Sequence, residues 1–173
     1  MFLSVREMEL RKLGFDTTYP PGEIQFLDQK LRQAGPLRTV GAAELLPGSE
    51  GEIRIQGSLA VRIEAECDRC LEEVASYPLD MTFDLFYEPV KAGPSEPEVA
   101  LHSGDSAVDF YEGDGLELED VLREQILLAL PMQRICREEC KGICPACGQN
   151  RNLVDCGCRT KASDDRWAAL RDL

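Results

Sequence analysis

The chain has 173 residues, 43% hydrophobic and 29% charged, with a formal net charge of −13. That length supports a hydrophobic core without cross-links, and the composition is that of an ordinary soluble globular protein rather than a disordered one. No apolar run approaches the roughly 18 residues of a membrane helix, and the acidic field repels a phosphate backbone while attracting basic partners.

The charge is unevenly spread. Residues 1–130 carry 11 Lys/Arg against 26 Asp/Glu, whereas residues 131–173 carry 8 against 6. The C-terminal end is therefore the part best suited to approach RNA. The opening segment "MFLSVREMELRKLG" contains Glu7 and Glu9 and lacks the apolar stretch of a signal peptide, so the chain reads as cytoplasmic.

In chain order, the first thirty residues hold short apolar segments, broken most clearly at "TTYPPGE", where Pro20, Pro21 and Gly22 interrupt any regular element. Residues 33–51 contain four glycines and two prolines and read as a loop-rich connection around one short strand. From Glu52 the pattern alternates: Ile53, Ile55, Gly57, Leu59, Val61, Ile63 and Ala65 share one face of a strand that runs into Cys67. A second alternating stretch places Leu79, Met81, Phe83, Leu85 and Tyr87 on one side, which puts Cys67 and Cys70 at the turn of an antiparallel hairpin.

Residues 89–106, rich in Pro, Gly, Ser and Glu, predict a mobile loop, and "AVDFYEG" a further short strand. Leu118, Val121, Leu122, Ile126 and Leu130 then follow helical spacing, predicting a helix over about 117–130 that ends before Pro131. Ser163 caps an expected last helix, with Asp164 and Asp165 in its first turn and Trp167 and Leu170 on one face. The expected architecture is α+β: a mainly antiparallel β-sheet packed by one central helix (residues 1–135), and a C-terminal Cys-rich zinc-knuckle lobe with a short terminal helix (residues 136–173).

Six of the eight cysteines crowd into "CREECKGICPACGQNRNLVDCGC". Eight thiols make two sets of four, the composition of closed structural zinc sites, and in a reducing cytosol metal binding is favoured over disulfides. In "CPACG", Pro145 stiffens the turn and Gly148 supplies its unusual dihedral. The short loop to Cys156 and Cys158 groups them with Cys144 and Cys147 as one site. Cys67 and Cys70 then share the other with Cys136 and Cys140. Schemes that mix the two sets stay open, as do an Fe–S cluster and a thiol redox pair.

A catalytic zinc needs an open position and usually a histidine, and the single one, His102, falls in the expected loop. Hydrolase and phosphate-binding motifs are absent, so a non-enzyme is expected.

The stretches "ECDRCLEEV", "REQILLALP", "CKGICPACGQNRN", "CGC" and "DDRWAAL", in this order from about Gly51 to Leu173, resemble the YceD family of large ribosomal RNA subunit accumulation proteins. The resemblance implies a bacterial or plastid-type factor needed for accumulation of large-subunit (23S) rRNA, acting in ribosome assembly. Candidate contacts to RNA or a partner are Arg69, Arg134, Arg137, Lys141, Arg151, Arg159 and Lys161, which surround the cysteines in sequence. These residues equally suit a role in offsetting thiolate charge. An acidic surface that holds a basic ribosomal or assembly protein is the alternative. Asn150 and Asn152 are expected to bond the knuckle backbone rather than read bases.

Overall fold

The computed structural model describes residues 1–90 and 108–158. The expected last helix, His102 and the candidate contacts Arg159 and Lys161 lie outside the described residues, as does nearly all of the expected loop at 89–106. The fold is α+β, mostly antiparallel sheet with few helices. In chain order the elements are β1 (Phe2–Ser4), α1 (Val5–Met8), β2 (Leu13–Tyr19), β3 (Leu31–Gln33), β4 (Leu37–Leu45), β5 (Ile53–Glu66), β6 (Glu73–Pro89), β7 (Val108–Tyr111), β8 (Gly115–Glu117) and α2 (Leu118–Ala129).

Strands β2, β4, β5, β6 and β7 lie side by side in that order, β3 adds to β5, and β1 pairs with β8 in a small separate sheet. The six residues Cys67–Glu72 join β5 to its neighbour β6, a connection too short for anything but an antiparallel hairpin. β7 departs from the expected antiparallel pattern and runs parallel to the end of β6, with Phe86 opposite Val108 and Pro89 opposite Tyr111.

Alternation in β5 is realised: Ile53, Ile55, Leu59, Val61, Ile63 and Ala65 are buried, while the residues between them are partly or fully exposed. Leu118, Val121, Leu122 and Ile126 of α2 join the same apolar cluster as these strand residues.

The short strand expected within the loop-rich stretch is the nine-residue β4, paired with β2 on one side and β5 on the other. Its glycine has a packing reason. Gly41 stands opposite Gly57, and a Cβ at Gly41 would collide with the Gln56 carbonyl oxygen, approach Phe15 Cζ to 2.5 Å and approach Gly57 Cα to 2.8 Å. Only two facing glycines let these strands carry the Phe15 ring across them. The signal that looked like a turn is a close approach between strands.

The chain divides into two compact units, one formed by Met1–Ala65 and Ser76–Met132, the other by Glu66–Ala75 and Gln133–Leu173. All eight cysteines belong to the second.

Candidate metal centres

The second unit is built on two turns of the same kind. In the first, Leu71 N donates to Cys67 O at 2.9 Å and Cys67 N to Glu72 O at 2.8 Å. In the second, Gly148 N donates to Cys144 O at 2.8 Å and Cys144 N to Gln149 O at 2.8 Å. Each turn requires a left-handed residue directly after its second cysteine. Gly148 supplies it at φ 73°, but in the first turn the residue is Leu71 at φ 62°, the sole non-glycine with positive φ among the described residues. For leucine that conformation costs roughly 1–2 kcal/mol, so the surrounding bonds must hold it. The two turns share little sequence beyond C-x2-C, which is why the repeat is invisible before folding.

The same geometry points backbone amides at sulfur. Burial pushes the Cys67 thiol up, yet the amides of Arg69, Cys136 and Cys70 outweigh it and bring it down to about 6. The Cys136 N–H lies 3.4 Å from Cys67 Sγ. Cys144 is likewise held at about 6 by the amides of Cys147 and Ala146. The thiols beside them move the other way: burial takes Cys70 to about 12, and hydrogen bonding with Cys147 and Cys156 takes Cys158 to about 12. Each group thus stabilises negative charge on some sulfurs and resists it on all four together.

Four sulfurs gather in each place. Cys67, Cys70, Cys136 and Cys140 form one group and Cys144, Cys147, Cys156 and Cys158 the other, with all sulfurs of a group within 4.8 Å of one another. In the first, Cys67 Sγ lies 3.8 Å from Cys140 Sγ and Cys70 Sγ 3.7 Å from Cys136 Sγ. A tetrahedron with metal–sulfur bonds of ~2.3 Å has edges of about 3.8 Å. The donor set and spacing therefore fit one tetrahedral ion, and the distances are far beyond a disulfide bond. The arrangement keeps apart the two sets that spacing had suggested. In the first group only Cys136 is exposed; in the second Cys147 and Cys158 are exposed and only Cys144 is buried.

Polar side chains brace the groups. Asn152 Nδ2 donates to Cys140 Sγ at 3.3 Å, which with the Gly142 amide lowers that thiol, and its Oδ1 accepts from Lys141 N at 2.8 Å. Asn150 Oδ1 in turn accepts from both Asn152 N and Nδ2 at 2.9 Å. The asparagines thus bond the knuckle backbone, but the contact from Asn152 to sulfur had no signal in the sequence, because twelve residues separate it from Cys140. Gly142, at φ 68°, lets the chain cross Arg69, whose carbonyl accepts from Ile143 N at 2.9 Å.

The candidate basic residues separate into two kinds. Arg69 is turned onto its own unit, with Nη1 3.4 Å from both the Glu138 and Cys140 carbonyls and Nη2 3.4 Å from Gln133 Oε1. Arg134 pairs with Asp68 at 3.1 Å; in addition Arg134 N donates to Asp68 Oδ2 at 2.7 Å and Asp68 N to the Arg134 carbonyl at 2.8 Å. Arg137, Lys141 and Arg151 are exposed, as is Arg69, whereas Arg134 is half-buried.

Fold and site together define a class: an α+β chain with a mostly antiparallel sheet and two four-cysteine groups able to hold metal. The family described as large ribosomal RNA subunit accumulation protein YceD matches residues 55–173, and the chain belongs to it. Among relatives, the uncharacterized protein YlbN of Bacillus subtilis (strain 168) is 25% identical over 174 residues, covering 98% of this chain and 92% of that protein. An uncharacterized protein of Mycobacterium tuberculosis is 30% identical over 125 residues, which is 72% of this chain and 56% of its own length. The chloroplastic large ribosomal RNA subunit accumulation protein YCED homolog 1 of Zea mays is 24% identical over 184 residues, 88% of this chain and 62% of that protein. No solved structure gives a significant match.

Among the described residues, no helix is long and apolar enough to cross a membrane.

Proposed function

We propose that this protein is a non-enzymatic, zinc-stabilised cytoplasmic factor required for accumulation of large-subunit (23S) rRNA during ribosome assembly. The observation that carries the metal reading is the pair of complete four-sulfur groups, one with sulfur contacts of 3.7 and 3.8 Å. Cys67, Cys70, Cys136 and Cys140 would hold one zinc and Cys144, Cys147, Cys156 and Cys158 the other. With every ligand position taken by sulfur there is no open position for a reacting water, so the ions would serve architecture. An Fe–S cluster distributes its four thiolates over more than one iron, which fits such close sulfur contacts poorly. The rRNA role follows from family membership, as the maize relative's name states it for that protein.

The test has two arms. Elemental analysis of purified protein should find two zinc ions per chain, and the protein should co-sediment with large-subunit precursors. Protein free of metal, or containing iron and sulfide, refutes the zinc reading; absence from precursor fractions refutes the assembly reading.

Contact through a basic protein rather than through RNA has its own support. Arg134 is paired with Asp68 inside its unit, and the exposed Arg69, Arg137, Lys141 and Arg151 share their stretches of sequence with Asp68, Glu138, Glu139 and Asp155. Two zinc–thiolate centres would take the whole chain from −13 to roughly −17. Precursor association that survives RNase treatment supports this second reading, and association that RNase abolishes refutes it.

A further inference from the structure

The first unit has an open cleft of 460 Å³ where β6, the edge strand β7 and α2 meet. Leu85, Phe86, Val108 and Leu128 give it apolar walls, and Asp109 and Glu124 bring two carboxylates into it. Asp84 also lines it, but is already bound by Arg54, whose guanidinium makes bonds of 2.8 and 2.6 Å. Asp109 and Glu124 meet no cation among the described residues. They face each other instead: burial pushes the Glu124 carboxyl above its usual range, and the neighbouring Asp109 adds to the rise.

A second feature points to a ligand independently of the charge. Gln125 lines the same cleft, is only 9% exposed, and has no hydrogen-bond partner among the described residues. Its amide therefore opens into the cleft rather than being satisfied inside the protein. The one other such residue on the sheet side, Gln33, uses its amide fully, accepting from Ile24 N and donating to the carbonyls of Tyr19 and Gly35. Beside the cleft, Leu128 is 73% exposed and Phe110 62% exposed.

We propose that this cleft receives an arginine side chain of a basic protein partner, the guanidinium taken by Asp109, Glu124 and the Gln125 amide oxygen, and the aliphatic stem laid on Val108 and Leu128. The inference rests on the reading that the protein meets a basic partner, and it gives that partner a place. Guanidinium fits better than a hard divalent cation, which needs six or more oxygen ligands and is not served by a half-apolar lining. Its five fixed donors match several acceptors at once, whereas a lysine ammonium on the same stem is a more strongly hydrated point charge.

The probe is the peptide acetyl-Gly-Leu-Arg-Leu-Gly-amide, with citrulline and lysine in place of arginine as controls, titrated into the metal-loaded full chain and followed by amide NMR. The arginine peptide should shift the Gln125 side-chain amide and the Asp109 and Phe110 backbone amides. It should bind at least tenfold more weakly to the Asp109→Asn/Glu124→Gln variant, and the citrulline peptide should not bind. That double variant relieves repulsion between like charges, so its thermal midpoint should be no lower than that of the parent. Gln125→Leu provides a second, uncharged change that should also weaken binding. Shifts scattered over all acidic surfaces, or equal binding of the citrulline peptide or the double variant, overturn the proposal. So does a double variant that has lost the peptide yet associates with large-subunit precursors as the parent does. A parent that binds the peptide in the cleft but never associates with precursors upholds the cleft and refutes the assembly reading instead.

Discussion

Metal removal should unfold the cysteine unit and leave the sheet unit folded. Apart from cysteines, Val74 is the one buried hydrophobic side chain among the described residues of the second unit. Burying a valine contributes about 1.5–3 kcal/mol, whereas a structural zinc site contributes about 10–16 kcal/mol at neutral pH. Each ion would thus outweigh the unit's apolar core several-fold. The first unit, by contrast, has a contiguous cluster that runs from Leu3 through the strands to Ile126.

Hydrogen exchange read by mass spectrometry, before and after a strong zinc chelator, resolves the two. Protection should vanish at Ile143, Cys144 and Arg151, whose amides donate to Arg69, Gln149 and Gly142. It should persist through β4 and β5, whose bonds depend on no cysteine. Far-UV circular dichroism should change little, since most of the regular structure belongs to the first unit. If verified metal-free protein keeps its protection at those three amides, the thiols are packing groups rather than ligands and the reasoning fails.

Asn152→Ala removes the donor to Cys140 Sγ and the acceptor for Lys141 N, and should weaken metal retention at the first group by about 10–100-fold, measured by competition with a chromophoric chelator. Unchanged retention would show the contact to be incidental. Gly41→Ala should destabilise the sheet unit by about 3 kcal/mol or more, seen as a lower denaturation midpoint, because the new Cβ meets backbone on the facing strand with nowhere to move. A midpoint within error of the parent would contradict the close approach. Cys67 and Cys144 are held near 6, below the ordinary thiol value of 9.0, so their contribution is complete above the unfolded value and lost as pH falls through about 6. Zinc release into an indicator should therefore rise as pH is lowered, because protons compete with the ion for the thiolates, and release that is flat with pH would count against thiolate ligation.

Much of the fold was legible because one physical rule governs it: a half-buried strand must alternate, and β5 does so from Ile53 to Ala65. The helix over Leu118–Ala129 was equally open to its period, and the grouping of cysteines to their spacing. Only a short strand was legible where β4 runs for nine residues, because a glycine that permits close approach and a glycine that makes a turn are the same letter. The parallel pairing of β7 with β6 was hidden because alternation says which face a side chain takes, not which neighbour its strand chooses.

The sequence by itself determined the thiol inventory, eight cysteines in two sets of four, since spacing limits how far a loop can reach. Only the tertiary structure decided what surrounds them. Leu71 is forced into a left-handed conformation by a turn that its letter disfavours, Asn152 reaches Cys140 across twelve residues, and the exposed Arg69 lies against the Glu138 and Cys140 carbonyls. Hydrogen bonds and burial depend on distances in space, and those exist only once the Cys67–Glu72 turn and the segment from Gln133 onward have been brought together.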